Sequence, residues 1–366
     1  MFAMNDRITA RQLYYQIIMS MAGIVLVILP GYQNLYGMNG IWICAVSGIL
    51  WGIYSFILVR ISSYYERLEQ LLGVKGTKIY GIVMLSFFLT TGSFLISVIC
   101  EIVKSYFGIQ MSSIILNLFI LGSCVLSGFP QIQRRGRMAE ISFSILGSVV
   151  LIFLFISYGN QILQSSTFFV YLKQGMNVHL KPIISGGYVL FAMFTGLFGL
   201  PFLLPHVKGN RWKAIAGAYG TLLILLAAAC VLLQGSYGIA QAVRRSWPML
   251  SLFGGIRIPG GFVFRLDPIW IGILVLFLLF SAGSALFYGN LIVKKTQVYW
   301  KWYWSLAVVY SLALLPTGYG TILQYYDKLL LFVYCPFMVV SHLVIWIRGR
   351  CVSSHKKKTR NEVMDA

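Results

Sequence analysis

Polar side chains that could do chemistry are few in this chain. Glu101 and Lys104 lie one helical turn apart in a long apolar run. An ionisable residue in such a run indicates a functional site, yet the same spacing lets the two charges neutralise each other. Ser281, Ser284 and Tyr288 recur at helical spacing and so face one way. This stripe either holds neighbouring helices together or lines a cavity.

Motifs of catalysis and metal binding are absent from the sequence. There is no Walker motif, no H-E-x-x-H and no G-x-S-x-G, and the six cysteines form no C-x-x-C pair. The four histidines are predicted to lie scattered among loops and ends of apolar runs: His179, His206, His342 and His355. We therefore expect no enzyme activity, no cofactor and no metal site.

The composition defines the class of protein that must position the polar residues. Of 366 residues, 58% are hydrophobic and 10% charged, and the mean hydropathy is +0.80. Soluble domains carry about 25% charged residues, so too few polar side chains are present to cover a soluble surface. The composition also excludes a disordered chain, a collagen and a disulfide scaffold. It predicts an all-α integral membrane protein.

Apolar runs of about 20 residues are long enough to cross a bilayer. They predict ten transmembrane spans, with centres better defined than ends. Spans 1 to 10 are placed at about 11–30, 40–60, 78–103, 111–129, 139–158, 185–206, 212–234, 268–292, 300–316 and 326–347. Residues 159–184 and 235–267 are too polar or too rich in Gly and Pro to span, and are predicted as external loops with short interfacial helices.

The basic residues indicate the orientation of these spans. The net charge is +20; with the N-terminus inside, 21 Lys and Arg fall on the inner side and 8 on the outer side. The positive-inside rule therefore predicts that both termini are cytoplasmic. The basic tail, 351–366, is expected to be a solvated anchor near anionic lipid, and binding to nucleic acid is not expected.

The spans form one domain, 1–350, that divides into two halves of five, at about 11–158 and 185–347. Each half begins with a span that contains helix-breaking residues. Span 6 has Gly196, Gly199 and Pro201, and Pro201 lacks an amide proton and clashes with the preceding turn. Span 1 has Gly23, which either breaks the helix or lets a neighbour pack closely. Paired broken helices predict a binding site at the membrane midplane.

Several segments resemble the permease-like B subunits of bacterial spore germinant receptors, in the amino acid–polyamine–organocation superfamily. Residues 7–13 (RITARQL) resemble the family's opening, and 23–30 its first broken helix. Residues 136–141 (GRMAEI) resemble the entry to its fifth helix. Trp-Pro at 247–248, followed by 265–270 (RLDPIW), resembles its outer loop and the start of its eighth helix. The resemblance covers about residues 5–350.

The resemblance implies an inverted 5+5 repeat of the LeuT-like transporter fold, with spans 1 and 6 broken. It implies a sensor of nutrient germinants, usually amino acids, in the inner membrane of the spore. The expected partners are a larger membrane A subunit and a lipoprotein C subunit. One departure concerns span 6, where the family often has an acidic residue after the glycine and this chain has Leu197-Phe198-Gly199-Leu200. The ligand or its coupling to the partners would then differ.

The leading hypothesis is a sensing subunit that binds a small amino acid between spans 1 and 6, with spans 3 and 8 as walls. Backbone at one set of residues would hold the carboxylate and ammonium groups: Ala22, Gly23, Gly196 and Leu197. A second set would shape the side-chain pocket: Thr91, Phe194, Phe198, Ser284 and Tyr288. Since neither broken segment contains an acidic residue, a strongly cationic ligand is not expected.

The alternative hypothesis is a secondary permease that carries an amino acid with a proton or sodium gradient. Such coupling needs an ionisable relay or a cation site inside the membrane. Glu101 is the only carboxylate that the sequence places well inside a span, and Asp327 is interpreted as a cap where span 10 begins. This scarcity favours sensing. A purely structural scaffold is a third hypothesis, against which the paired broken spans argue.

Overall fold

The computed structural model describes residues 7–108, 111–127, 131–162, 180–194, 199–254, 267–315 and 319–364. Its long elements are all α-helices. In chain order they are α1 Ala10–Gly23, α2 Gly37–Ile61, α3 Leu68–Phe107, α4 Ser113–Ser127, α5 Ile132–Ile162, α6 Leu180–Met193, α7 Leu200–Leu203, α8 Arg211–Arg244, α9 Pro248–Gly254, α10 Asp267–Thr296, α11 Trp302–Leu314, α12 Tyr319–Leu329 and α13 Cys335–Met364.

Six helical segments of the described chain are long and apolar enough to cross a membrane: Ala10–Gly31, Asn39–Phe107, Ile132–Gly159, Arg211–Arg244, Pro268–Thr296 and Gly320–Val352. The second of these contains predicted spans 2 and 3. Shorter apolar helices lie at predicted spans 4, 6 and 9: Ser113–Leu126, Leu180–Met193 and Trp302–Leu314. The protein is therefore helical and membrane-embedded, while the count of ten spans stays a prediction.

Predicted span 1 is the centre of the fold. Every residue from 16 to 30 is buried, so this span is enclosed by protein on all sides. α1 packs against α10, α8 and α5, and α10 packs against both α1 and α3. α5 instead presents large apolar side chains outward, among them Ile145, Leu151 and Phe155. α5 therefore faces lipid, whereas span 1 does not.

Both predicted broken spans end in the same local structure. After α1 the chain continues as a π-helix, Ile24–Ile28, and then a 3₁₀ turn, Leu29–Gly31. After α7 it continues as a 3₁₀ turn, Leu204–His206. Each turn has proline at its second position, where the missing amide proton leaves no bond unmade. Each also leads into extended backbone, with ψ 118° at Tyr32 and 128° at Val207.

A second matched pair of features is formed by two glycines. Gly73 interrupts α3 with φ 71° and ψ 168°, and Gly238 interrupts α8 with φ 69° and ψ 165°. Side chains with a Cβ rarely adopt this conformation, so glycine is required at both points. Gly73 lies between predicted spans 2 and 3, and Gly238 lies between predicted spans 7 and 8. The two halves of the chain thus bend alike at corresponding places.

The start of α1 is tied to the end of predicted span 6. Strand β1, Ile8–Thr9, pairs in parallel with strand β2, Val207–Lys208. Thr9 also caps α1, because its hydroxyl accepts from the Gln12 amide at 3.2 Å while the Thr9 amide donates to the Gln12 side chain at 3.1 Å. This reciprocal capping box satisfies two amide protons that a helix start leaves unpaired. One residue therefore serves both the strand and the helix.

The predicted external loop at 235–267 is largely helical where the structure describes it. α8 continues to Arg244, and α9 follows at Pro248–Gly254. Trp247, Met249 and Leu250 are buried, since α9 packs against α8 and α10. The short helix in this segment agrees with the prediction, but its apolar side is covered by protein.

The turn between α1 and α2 is closed by a tyrosine. The Tyr36 hydroxyl donates to the Pro30 carbonyl. Burial raises the pKa of Tyr36, so the phenol keeps the proton that it donates. At the start of α2, the Gly37 amide donates to Gln234 Oε1 on α8 at 2.9 Å. These bonds fix the end of span 1 against the rest of the bundle.

Candidate ligand-binding site

The polar stripe on α10 faces α1. Ser284 Oγ lies 2.7 Å from Ser20 Oγ, and Ser20 also donates to the Gln16 carbonyl at 2.6 Å. One turn further along α10, the Tyr288 hydroxyl is adjacent to the Gln16 side chain. Because the order of partners on α1 is reversed, the two helices run antiparallel. The stripe therefore brings two hydroxyl groups against a polar face of α1.

Tyr288 also reaches two other predicted walls of the site. Its ring lies 5.6 Å from the Phe88 ring on α3, centroid to centroid. A Cβ added at Gly199 would lie 2.8 Å from the Tyr288 ring, so that ring is in contact with Gly199. Gly199 is one of the residues of the predicted break of span 6. Tyr288 thus meets spans 1, 3 and 6 at one point.

Arg135 joins this group from the first turn of α5. The side chain is fully buried. Its Nη2 donates to the Phe280 carbonyl at 3.1 Å and to Ser284 Oγ. Its guanidinium carbon lies 4.5 Å from the centroid of the Phe280 ring and 5.2 Å from that of Phe287, within the range of cation–π attraction. Residues of three helices thus form the α10 cluster: Gln16, Ser20, Arg135, Ser284 and Tyr288.

Ala22 and Gly23 have helical backbone in this structure. Gly23 has φ −60° and ψ −44°, and a Cβ there would lie 2.8 Å from the Leu278 nitrogen. Gly23 therefore allows close packing of α1 on α10, which is one of the two roles expected from the sequence. Ala22 lines a cavity of 330 Å³ between α1, α5 and α8. A ligand contact for either backbone stays a prediction.

Two other predicted site residues have different neighbours. Thr91 Oγ1 donates to the Phe87 carbonyl at 2.9 Å and lies 3.1 Å from the Tyr326 hydroxyl of α12. The Phe194 ring packs 4.8 Å from that of Tyr219 on α8. Among the described residues, neither Thr91 nor Phe194 forms a hydrogen bond or ring contact with the α10 cluster. Three further predicted site residues lie outside the described residues: Gly196, Leu197 and Phe198.

A second buried polar group surrounds His342. This histidine is fully buried in α13, not at a span end as the sequence suggested. Its Nδ1 is bonded to the Tyr54 hydroxyl and its Nε2 lies 3.0 Å from the Tyr80 hydroxyl. Tyr80 in turn lies 2.8 Å from the Tyr65 hydroxyl. We call these four residues the His342 cluster. It connects α2, α3 and α13.

The other ionisable groups in the spans also differ from expectation. Lys104 Nζ donates to Ser113 Oγ, and no ion pair joins it to Glu101 among the described residues. Asp327 is not at the start of a helix, because α12 begins at Tyr319. Both Asp327 carboxylate oxygens accept from the Tyr32 hydroxyl, at 2.7 and 2.9 Å. Asp327 is thus a half-buried link between the end of span 1 and α12.

Comparison with known proteins identifies the family. The model of the family described as "Spore germination protein" matches residues 7–314. The chain belongs to the spore germination protein family. The Spore germination protein YndE of Bacillus subtilis (strain 168) is 23% identical over 367 residues, and the alignment covers 95% of each chain. This agrees with the resemblance inferred from residues 7–13, 23–30 and 136–141.

This spore germination protein contains candidate site residues that the sequence argument missed. Gln16 and Ser20 are four residues apart in the apolar run of span 1, a spacing that could have been noticed. The sequence does not distinguish Arg135 from Arg134 and Arg137, because all three belong to one basic group. In the structure, Arg134 and Arg137 are exposed and Arg135 is buried. Only the bonds of its side chain to α10 distinguish it. Among the described residues, no group of three His, Cys, Asp or Glu could hold a metal ion.

Proposed function

We propose that this chain is the nutrient-sensing membrane subunit of a spore germinant receptor and not an enzyme. It binds a small amino acid at the membrane midplane and signals through an A subunit and a C lipoprotein in the spore inner membrane. The observation that carries the proposal is the position of Tyr288, which touches Gln16 of span 1, Phe88 of span 3 and Gly199 of span 6. Membership of the spore germination protein family supports the biological role.

The architecture belongs to the same proposal. Ten spans form an inverted 5+5 repeat, and both termini are cytoplasmic. Two observations support the repeat: the proline-containing 3₁₀ turns after predicted spans 1 and 6, and the glycine bends at Gly73 and Gly238. The distribution of basic residues supports the orientation.

Labelling of single cysteines tests this architecture in a cysteine-free background. Labelling requires exposed positions, and Arg134 and Asn34 are exposed whereas their neighbours Arg135 and Leu35 are buried. Cysteines at 134, 210 and 355 should react only from the cytoplasmic side, and those at 34, 175 and 255 only from outside. Reaction of positions 210 and 255 from the same side would contradict ten spans.

Signalling requires that the ligand bind two states of the protein with different affinity. The bond between Ser20 and Ser284 closes α1 onto α10. A ligand that takes hydrogen bonds from these hydroxyls would replace that closure by contacts of its own. The balance between two packings of spans 1 and 8 would then shift, and the partner subunits would detect the change.

Genetics separates sensing from transport. Deletion of the gene for this chain should abolish the response of spores to one nutrient, and deletion of either presumed partner should have the same effect. A response that persists without the A subunit and the lipoprotein would contradict the receptor proposal. The readout is the loss of optical density or release of dipicolinic acid after addition of single amino acids.

A secondary permease is the second candidate function, and Asp327 is the observation that favours it. Its carboxylate lies within the apolar segment Gly320–Val352 and is held by Tyr32 at the end of span 1. A carboxylate at this depth is the type of group that couples transport to a cation. Saturable, gradient-driven uptake of a labelled amino acid into vesicles that contain only this chain, lost in Asp327→Asn, would establish the permease.

A further inference from the structure

We propose that Arg135 and Gln16 bind the negatively charged group of the ligand, a carboxylate. The inference rests on the proposed function and concerns the same site. It replaces the expectation that backbone amides alone hold this group. It also restricts the ligand to molecules with a free carboxylate.

The first argument is the position of a permanent charge. Arginine stays protonated under all physiological conditions, and Arg135 is fully buried at the α10 cluster. A buried charge is retained mainly where it has a function or a partner of opposite sign. The planar guanidinium presents five donors in a fixed fork, which matches the two oxygens of a carboxylate.

The second argument is the fixed orientation of that guanidinium. The faces of Phe280 and Phe287 lie within 4.5 and 5.2 Å of its central carbon. Bonds to the Phe280 carbonyl and Ser284 Oγ hold one end of the fork. The charge is therefore preorganised, so little conformational entropy is lost when a ligand binds.

The third argument is Gln16. This side chain is fully buried, and the Tyr288 hydroxyl is adjacent to it, yet neither Nε2 nor Oε1 lies in hydrogen-bond geometry with a described residue. A buried amide without a partner destabilises the folded protein, so a bound group that pairs with it would be favoured. A carboxylate accepts from Nε2 and an ammonium group donates to Oε1. The zwitterionic backbone of an amino acid offers both groups.

Arg135 and Gln16 lie next to the same face of α10. Arg135 contacts Ser284, and Gln16 is adjacent to Tyr288, which lies one helical turn further on the same face of α10. A turn corresponds to a rise of about 6 Å over four residues. Ser20 bridges the two levels through its bond to Ser284. A cation, an amide and three hydroxyls thus converge over a single turn.

The test compares free amino acids with their α-carboxamides, which lack the negative charge. The probes are the twenty L-amino acids and the matching amides, given to spores in which this receptor is the only one present. Wild-type spores should respond to at least one free acid and at least tenfold more weakly to its amide. Equal responses to acid and amide would overturn the inference.

Three substitutions then test whether the charge of Arg135 discriminates between the free acid and its amide. Arg135→Gln should raise the required concentration of the acid by roughly ten- to a hundredfold and remove most of the acid-over-amide preference, because a charge-assisted bond is lost. Arg135→Lys keeps the charge but not the fork, and should retain part of the preference. Arg134→Gln removes an exposed charge next in sequence and should change neither quantity.

Gln16→Met keeps the inference testable if Arg135 variants fail to accumulate in the membrane. Methionine matches the volume of glutamine and removes the unsatisfied amide, so abundance should be normal while sensitivity falls about tenfold. An unchanged response of this variant, or an unchanged acid-over-amide preference in Arg135→Gln at normal abundance, would refute the inference and leave the receptor role intact. If no acid in the panel acts on wild-type spores while the deletion phenotype stands, the carboxylate is not the recognised group.

Discussion

The α10 cluster and the His342 cluster are both fully enclosed in a membrane protein, but they differ in how their polar groups are satisfied. In the His342 cluster each ring nitrogen has a tyrosine partner, and a third tyrosine extends the chain of bonds. In the α10 cluster there is a permanent charge, and the amide of Gln16 has no hydrogen bond to a described residue. The polar groups of the first cluster therefore satisfy one another, whereas the second cluster contains an amide outside hydrogen-bond geometry.

On the proposed function, the His342 cluster stabilises the fold and the α10 cluster recognises the ligand. The His342 cluster is flanked by Phe202 of α7, whose ring lies 4.8 Å from that of Tyr65 and stacks on that of Tyr80 at 6.2 Å. It therefore supports the half of span 6 that follows the predicted break. The α10 cluster meets the break itself, through Tyr288 and Gly199. Changes in the first should alter stability, and changes in the second should alter sensitivity to ligand.

Gly23→Val should have the largest effect, because it separates the helices that carry the α10 cluster. The new Cβ would meet backbone atoms of Leu278 at 2.8 and 2.9 Å, which no side-chain rotation can relieve. We expect the free energy of unfolding to fall by about 3 kcal/mol or more, with a strong fall in membrane abundance and loss of the response to germinant. Quantitative immunoblotting of membranes measures the abundance.

Gly220→Val is the matched control for that substitution, since a Cβ at this helical glycine has no neighbour within 4 Å. It should leave abundance nearly normal. A Gly23→Val protein of normal abundance with no response would instead favour direct ligand contact at this glycine.

His342→Leu should have the next largest effect, and on stability alone. It removes the histidine that bonds the buried hydroxyls of Tyr54 and Tyr80, and the free energy of unfolding should fall by about 2–4 kcal/mol. The thermal midpoint of the purified protein should fall, while the germinant concentration for half-maximal response of surviving receptors stays unchanged. A selective change in that concentration would end the contrast between the two clusters.

Ser284→Ala and Tyr288→Phe should have the opposite profile. Each removes one hydroxyl of the α10 cluster with little change of volume, and loss of one hydrogen bond of about 1–1.5 kcal/mol raises the required germinant concentration roughly tenfold. Thermal stability should fall less than in His342→Leu. Ser311→Ala provides the control, because Ser311 makes the same bond to a carbonyl four residues earlier but is exposed. Dose–response curves identical to wild type would place the site elsewhere.

Thr91→Val should have the smallest effect. Thr91 is bonded to Phe87 and Tyr326, on the side of α3 that faces α12. We expect less than a threefold change in germinant concentration, in contrast to Tyr288→Phe. A tenfold change would restore Thr91 to the pocket where the sequence placed it, and would require that α3 turn when ligand binds.

The sequence predicted the positions of apolar helices well, but it did not predict which helices contact one another. α10 covers predicted span 8, and α2 covers predicted span 2, because hydropathy depends on local composition. Hydropathy does not say which span is central, so nothing in the sequence marked span 1 as enclosed by protein. The sequence places Arg135 at the cytoplasmic surface, because a basic cluster is the usual signal for that surface. The surroundings of His342 and Asp327 cannot be predicted from the sequence, because their neighbours are far away in the chain.

The pairing of Ile8–Thr9 with Val207–Lys208 has a mechanical consequence. Thr9 is at once a strand residue and the cap of α1, so a displacement of the end of span 6 acts on the first turn of span 1. If the strand pair opens, the cap geometry is disturbed as well, and loss of a cap costs about 1 kcal/mol. The end of span 6 and the start of span 1 are therefore mechanically coupled through Thr9. This coupling runs through the backbone and needs no contact between side chains in the core.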